Sequence, residues 1–104
     1  IPILRNFIHP ELFICKIEGN SMEPTIMPGA CVGAIPPKRL REGAIYIFYD
    51  DVLGVVAKRL YYDGPGKLIL VSDNKTVPPI PLDANGYEKV IIGEVIWVWH
   101  KFRQ

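Results

Sequence analysis

Short apolar and alternating runs, separated by clusters of Gly, Pro and Asp, divide this chain into segments of strand length. The predicted strands are Phe13 to Ile17, Cys31 to Ile35, Ala44 to Tyr49, Val52 to Tyr61, Lys67 to Val71 and Val90 to Phe102. Asp50-Asp51 makes a hairpin of the third and fourth, and Asp63-Gly64-Pro65-Gly66 is a second turn. Between the first two, Glu18-Gly19-Asn20 turns the chain into a short helical turn around Met22 to Met27, ended by Pro28-Gly29. Pro36-Pro37 and the polar stretch Lys38 to Gly43 form a loop. Thr76 to Gly86, with Pro78, Pro79 and Pro81, is expected to be a surface loop, because proline has no N–H to give to a central ladder. Ile1 to Leu12 is expected to be irregular. Gly93 is expected to mark a bulge in the last and longest strand.

Composition adds size and class. The 10 prolines and 9 glycines punctuate 104 residues too often for long helices, and 49% hydrophobic residues suffice for one core. A single mainly β domain spanning residues 1–104 is the expectation. A net charge of +1 argues against nucleic-acid binding by this chain alone. Lys38-Arg39-Leu40-Arg41 and His100-Lys101-Phe102-Arg103 read as ordinary solvated groups. Cys15 and Cys31 lie in separate apolar runs and read as free thiols, far in sequence from His9 and His100, so no metal site and no cofactor is expected. No apolar stretch approaches the ~18 residues that cross a bilayer, and no signal peptide opens the chain; the cytoplasm is the expected compartment.

The chemistry lies in Ser21 and Lys58. Ser21 sits in Gly19-Asn20-Ser21-Met22-Glu23-Pro24-Thr25, at a loop-to-turn boundary where backbone amides are free to hold an oxyanion. Lys58 shares a strand face with Val56 and Leu60, while Val55, Ala57 and Arg59 point the other way. An apolar setting disfavours the ammonium, and a neutral lysine can take a proton from a serine hydroxyl. Each residue also has an ordinary reading: Lys58 with its head in water, and Asn20 or Ser21 as a cap with Pro24 in the first turn.

Taken in order, Gly19-Asn20-Ser21-Met22-Glu23-Pro24-Thr25-Ile26, Pro28-Gly29, Val56-Ala57-Lys58-Arg59-Leu60, Leu70-Val71-Ser72-Asp73-Asn74 and Ile91-Ile92-Gly93-Glu94-Val95 resemble the Ser–Lys self-cleaving domain of LexA, CI-type phage repressors and UmuD-like proteins. Ser21 and Lys58 stand 37 residues apart, an interval that suits the family. The resemblance implies a LexA C-terminal-domain-like fold, a twisted and partly closed β-sheet with little helix. It implies Ser21 as nucleophile, Lys58 as base, the backbone amides of Asn20 and Ser21 as oxyanion hole, and Gly19, Met22 and Pro24 as support of the motif. Two positions depart from the family pattern. Ala30 stands where an acidic residue is frequent, and Val56 where a hydroxyl two positions before the lysine often orients its amine.

The implied substrate is an Ala-Gly or Cys-Gly bond in a linker to an N-terminal DNA-binding domain. Neither dipeptide occurs in the chain, so linker and head are expected before Ile1. A RecA–single-stranded-DNA filament is the implied trigger, a homodimer the implied assembly, and no membrane is involved. Two further classes stay open: a dimerisation module without catalysis, and a signal-peptidase-like enzyme acting on other proteins. Val90 to Phe102, with Trp97 and Trp99 on one face and Ile96 and Val98 on the other, is the expected place for a partner to add.

Overall fold

The computed structural model describes residues 10–52, 54–83, 85 and 90–100. The expected irregular start from Ile1 to His9, and Lys101 to Arg103 of the second basic group, lie outside the described residues. Seven strands form: β1 (Phe13–Lys16), β2 (Cys31–Ile35), β3 (Ile45–Asp50), β4 (Gly54–Tyr62), β5 (Lys67–Val71), β6 (Ile80–Asp83) and β7 (Ile91–Trp99). They make one antiparallel sheet in the order β1-β2-β7-β3-β4-β5-β6. The mainly β expectation holds, but the sheet does not close on itself: β1 and β6 are its two edges.

The short helical turn expected around Met22 to Met27 forms as one helical hydrogen bond, from the Ile26 amide to the Met22 carbonyl at 2.8 Å. Two other local expectations need correction. The proline-rich loop contains an extra strand, β6, which tolerates Pro81 because it lies at the sheet edge and pairs only with β5. The last strand is not a free strand awaiting a partner. β7 pairs with β2 on one side and β3 on the other, so both its edges are already used. A bulge does adjoin Gly93: the β3 register passes from Gly93 to Ile91, leaving Ile92 as the extra residue. A second leaves out Ile96 against β2.

Side chains directly opposite across an antiparallel pair share a face, so the register assigns two cores to opposite faces of the sheet. On one face Val32, Ala34, Ile47 and Ala57 pack with Ile17, Met22, Ile26 and Ala30. On the other, Tyr46, Phe48, Leu60, Leu68, Leu70 and Ile91 pack together. β3 and β4 contribute to both, which explains why Tyr46-Ile47-Phe48 reads as a continuous apolar run rather than an alternating one. Two glycines are demanded by packing. A Cβ on Gly33 would lie 2.2 Å from the Trp97 ring, and one on Gly93 would lie 2.7 Å from the Phe13 ring. Among the described residues no helix is long and apolar enough to cross a membrane.

Candidate active site

The loop that carries Ser21 is pinned at its neck, through its interior and along one flank. At the neck, the Ile17 amide donates to the Ala30 carbonyl at 2.8 Å and the Gly29 amide donates to the Ile17 carbonyl at 2.7 Å, extending the β1–β2 pairing. Inside, Met22 and Ile26 are fully buried in the first core, so the apolar members of the motif anchor it while Gly19 and Asn20 stay exposed. Pro24 is exposed, and the Glu23–Pro24 peptide is cis. Along the flank, the Asn74 amide donates to the Ser21 carbonyl at 2.9 Å, and Asn74 Nδ2 donates to the Asn20 carbonyl at 3.0 Å.

Lys58 is 2% exposed, so the reading with its head in water is wrong. Its neighbours follow from the register: Tyr46 lies opposite on β3, and Val56 and Leu60 flank it on its own strand. Nζ donates to the hydroxyl of Ser72, itself 3% exposed, at 2.7 Å. Burial pushes the lysine below its ordinary pKa, against a smaller opposing effect of the Asp50 charge. The Ser21 backbone and the Lys58 amine thus share one anchor, the three residues Ser72-Asp73-Asn74.

Asp73, the middle residue, ties the same elements together. It accepts from Arg59 Nε at 2.8 Å and Nη2 at 3.1 Å, and from the Thr25 hydroxyl. Arg59 also donates from Nη1 to the Gly43 carbonyl at 2.7 Å. Burial alone would raise the Asp73 carboxyl, but the hydrogen bonds from Arg59 and Thr25 hold it below its ordinary value. Neighbours on β4, Lys58 and Arg59 thus point to opposite faces, and each meets one of two neighbours at the end of β5. Among the described residues nothing accepts a hydrogen bond from the amide of Asn20 or Ser21, the two oxyanion candidates. Nor is there, among them, a group of three His, Cys, Asp or Glu placed to hold a metal ion.

A family model described as Peptidase S24-like matches residues 1–96, nearly the whole chain. The chain belongs to the Peptidase S24-like family, the LexA, UmuD and CI-type Ser–Lys peptidases. No curated protein matches it. For a Peptidase S24-like chain the kind of enzyme is a serine peptidase. The two departures from the family pattern acquire a local meaning. Ala30 is 2% exposed in the first core, where an acidic side chain would need a partner. Val56 packs against the second core as an ordinary apolar residue. Sequence reasoning missed Thr25, Arg59, Ser72 and Asp73 as parts of the site. The available signal was the polar triplet Ser72-Asp73-Asn74 directly after an apolar strand, one strand away from Lys58.

Proposed function

We propose that this chain is the self-cleaving regulatory domain of a LexA- or CI-like repressor, with Ser21 as nucleophile and Lys58 as general base. Neutral Lys58 takes the Ser21 hydroxyl proton as Oγ attacks a peptide carbonyl carbon. The amides of Asn20 and Ser21 hold the developing oxyanion. Lys58 then gives the proton to the leaving amine, and water, deprotonated in turn by Lys58, releases the acyl group from Ser21. The substrate is an Ala-Gly or Cys-Gly bond in the linker to a DNA-binding domain of the same protein. A RecA–single-stranded-DNA filament promotes the cut, and paired domains hold two DNA-binding heads together as a homodimer.

The observation that supports this reading most is the buried Lys58 amine, desolvated and fixed on the segment that also bonds the Ser21 backbone. A fold rarely buries a lysine that forms no ion pair unless the neutral amine has a use. The test is incubation of the full-length protein containing this domain between pH 7 and pH 10, with fragments followed on a gel. Cleavage that accelerates as pH rises, and that stops in Ser21→Ala, is expected. No cleavage at any pH, with the filament present, would overturn the peptidase reading and leave a dimerisation module.

A further inference from the structure

We infer that Ser72 is a positioning residue for Lys58, its hydroxyl accepting one amine N–H so that the nitrogen lone pair is left for the nucleophile. This rests on the proposed Ser21–Lys58 reaction and names a residue of it that the sequence did not single out.

The placement follows from the register. Arg59 opposite Val71 is the last ladder pair of β4 and β5, and one residue further Lys58 and Ser72 stand opposite each other on the same face. Their 2.7 Å hydrogen bond is therefore set by backbone pairing, not by a chance rotamer. A neutral amine has two N–H bonds and one lone pair, and rotation about Cε–Nζ is otherwise free. Engaging one N–H stops that rotation and restricts the directions open to the lone pair. When Lys58 gains the Ser21 proton, the same hydrogen bond becomes charge-assisted and about twice as strong. Its strengthening coincides with charge development, so it favours the transition state over the resting enzyme.

The other ionisable groups around the amine do not duplicate this role. Tyr46, directly across on β3, accepts from the Arg41 amide at 2.8 Å. Glu94 on β7, beyond Tyr46, pairs with Arg41. Asp73 is committed to Arg59 and Thr25. Asp50, at the far end of β3, acts on Lys58 through its charge. Val56, the nearest residue on the same face of β4, has no polar atom in its side chain to offer.

The competing explanation is that Ser72 only satisfies a buried amine. The two separate when the chain is labelled with a fluorophosphonate: Ser21 Oγ bonds to phosphorus, the P–F bond breaks, fluoride leaves, and Lys58 takes the hydroxyl proton. The labelling rate at Ser21, read by mass spectrometry from pH 6 to pH 10.5, reports the same activation without a peptide substrate. Ser72→Ala is expected to slow labelling about 10- to 100-fold, as small misplacements of reacting groups do. Its pH midpoint should also move down, because the ammonium has lost a hydrogen bond. Ser72→Thr should keep the wild-type midpoint and a rate within about threefold, since the hydroxyl remains. If Ser72→Ala fails to fold, Ser72→Cys, with a weak acceptor of similar size, gives the same comparison. Wild-type rate and midpoint in Ser72→Ala would overturn the role of Ser72 while leaving the peptidase reading intact. A slower rate with an unmoved midpoint and no rescue by threonine would also overturn it, in favour of packing. A wild-type chain that never labels at Ser21 would sink the peptidase reading and this role with it.

Discussion

Asn74 holds the Ser21 carbonyl through its own amide at 2.9 Å, and so ties the Ser21 loop to the segment that follows β5. The Asn74 side chain works in parallel, bonding the Asn20 carbonyl through Nδ2 while Oδ1 accepts from the amide and hydroxyl of Thr76. Two successive carbonyls, those of Asn20 and Ser21, are thereby turned toward Asn74.

Asn74→Ala keeps the backbone bond to Ser21 but frees Asn20 and Thr76. We expect a stability loss of about 1 kcal/mol, the usual net value of exposed hydrogen bonds of this kind, and a larger proportional loss of cleavage rate. Urea unfolding beside a cleavage time course measures both. An unchanged rate would mean that Asn20 does not help to hold the oxyanion.

Ser21→Ala should abolish cleavage with the fold nearly unchanged, and Lys58→Met should abolish it while keeping or raising stability at pH 7. An apolar residue of similar length escapes the desolvation of a buried amine, which for buried charged groups is often worth about 1 to 4 kcal/mol. The sign of the pH dependence follows from the depressed lysine: the unfolded chain binds the proton more readily, so wild-type stability from this group rises with pH. That rise spans the interval from the folded value up to the unfolded one near ~10.4. The advantage of Lys58→Met should therefore shrink between pH 7 and pH 10 in paired urea titrations. A constant difference would show that Lys58 titrates alike in both states.

Asp73 has the opposite sign. Its carboxyl is held below the ordinary value by Arg59 and Thr25 against its burial, so its contribution is complete above about pH 4 and is lost as pH falls through the folded value. Asp73→Asn removes this contribution. We expect it to lower stability at pH 7 by about 1 to 3 kcal/mol, the range for hydrogen bonds to charged groups, and to flatten the acid limb of the stability curve. Circular dichroism melts from pH 2 to pH 7 would show an unaltered acid limb if another carboxylate dominates there.

Gly19 in the Ser21 loop and Gly33 on β2 differ sharply. At Gly19 an added Cβ meets nothing within 4 Å, whereas at Gly33 it meets the Trp97 ring at 2.2 Å. Gly19→Ala should change stability by less than about 0.5 kcal/mol, as surface changes do. Gly33→Ala should cost about 2 kcal/mol or more through overpacking against a strand neighbour. Thermal melts compare them directly, and equal melting temperatures would mean that the Trp97 ring moves aside without cost.

Homodimerisation is testable on the chain itself. Ile14 at 62% and Trp99 at 66% exposure share the face of β1, β2 and β7 opposite the nucleophile loop, and we expect pairing there rather than at a strand edge of β7. Sedimentation equilibrium should show a dimer at micromolar concentration, weakened by Trp99→Lys. A clean monomer at ~100 µM leaves less than about 6 kcal/mol for pairing and removes dimerisation from this domain.

Period-two patterning and turn residues located β2 and β5 to the residue and the other long strands to within a few, because these runs are bounded by Gly, Pro and Asp. The pattern also placed Lys58 with Val56 and Leu60. It could not show that Lys58 is buried, since burial depends on which strands lie beside β4, and that is a property of topology. The same limit hid Ser72: its partner is 14 residues away and reached only through the β4–β5 register. β6 was missed because three nearby prolines outweigh a weak four-residue strand when edge and centre are not distinguished. The position of β7 was misjudged for a related reason, since being last in sequence does not make a strand outermost.

That inversion governs how the chain is completed. β1 and β2 form one piece of the sheet and β3 to β6 another, and among the described residues β7 is the one strand that pairs with both. During synthesis every strand emerges before the one that joins them, so the two pieces wait with β2 and β3 unsealed until residues 91–99 leave the ribosome. A premature stop just before Ile91 would remove the centre of the sheet rather than trim its border, exposing two fresh templates for association with other chains.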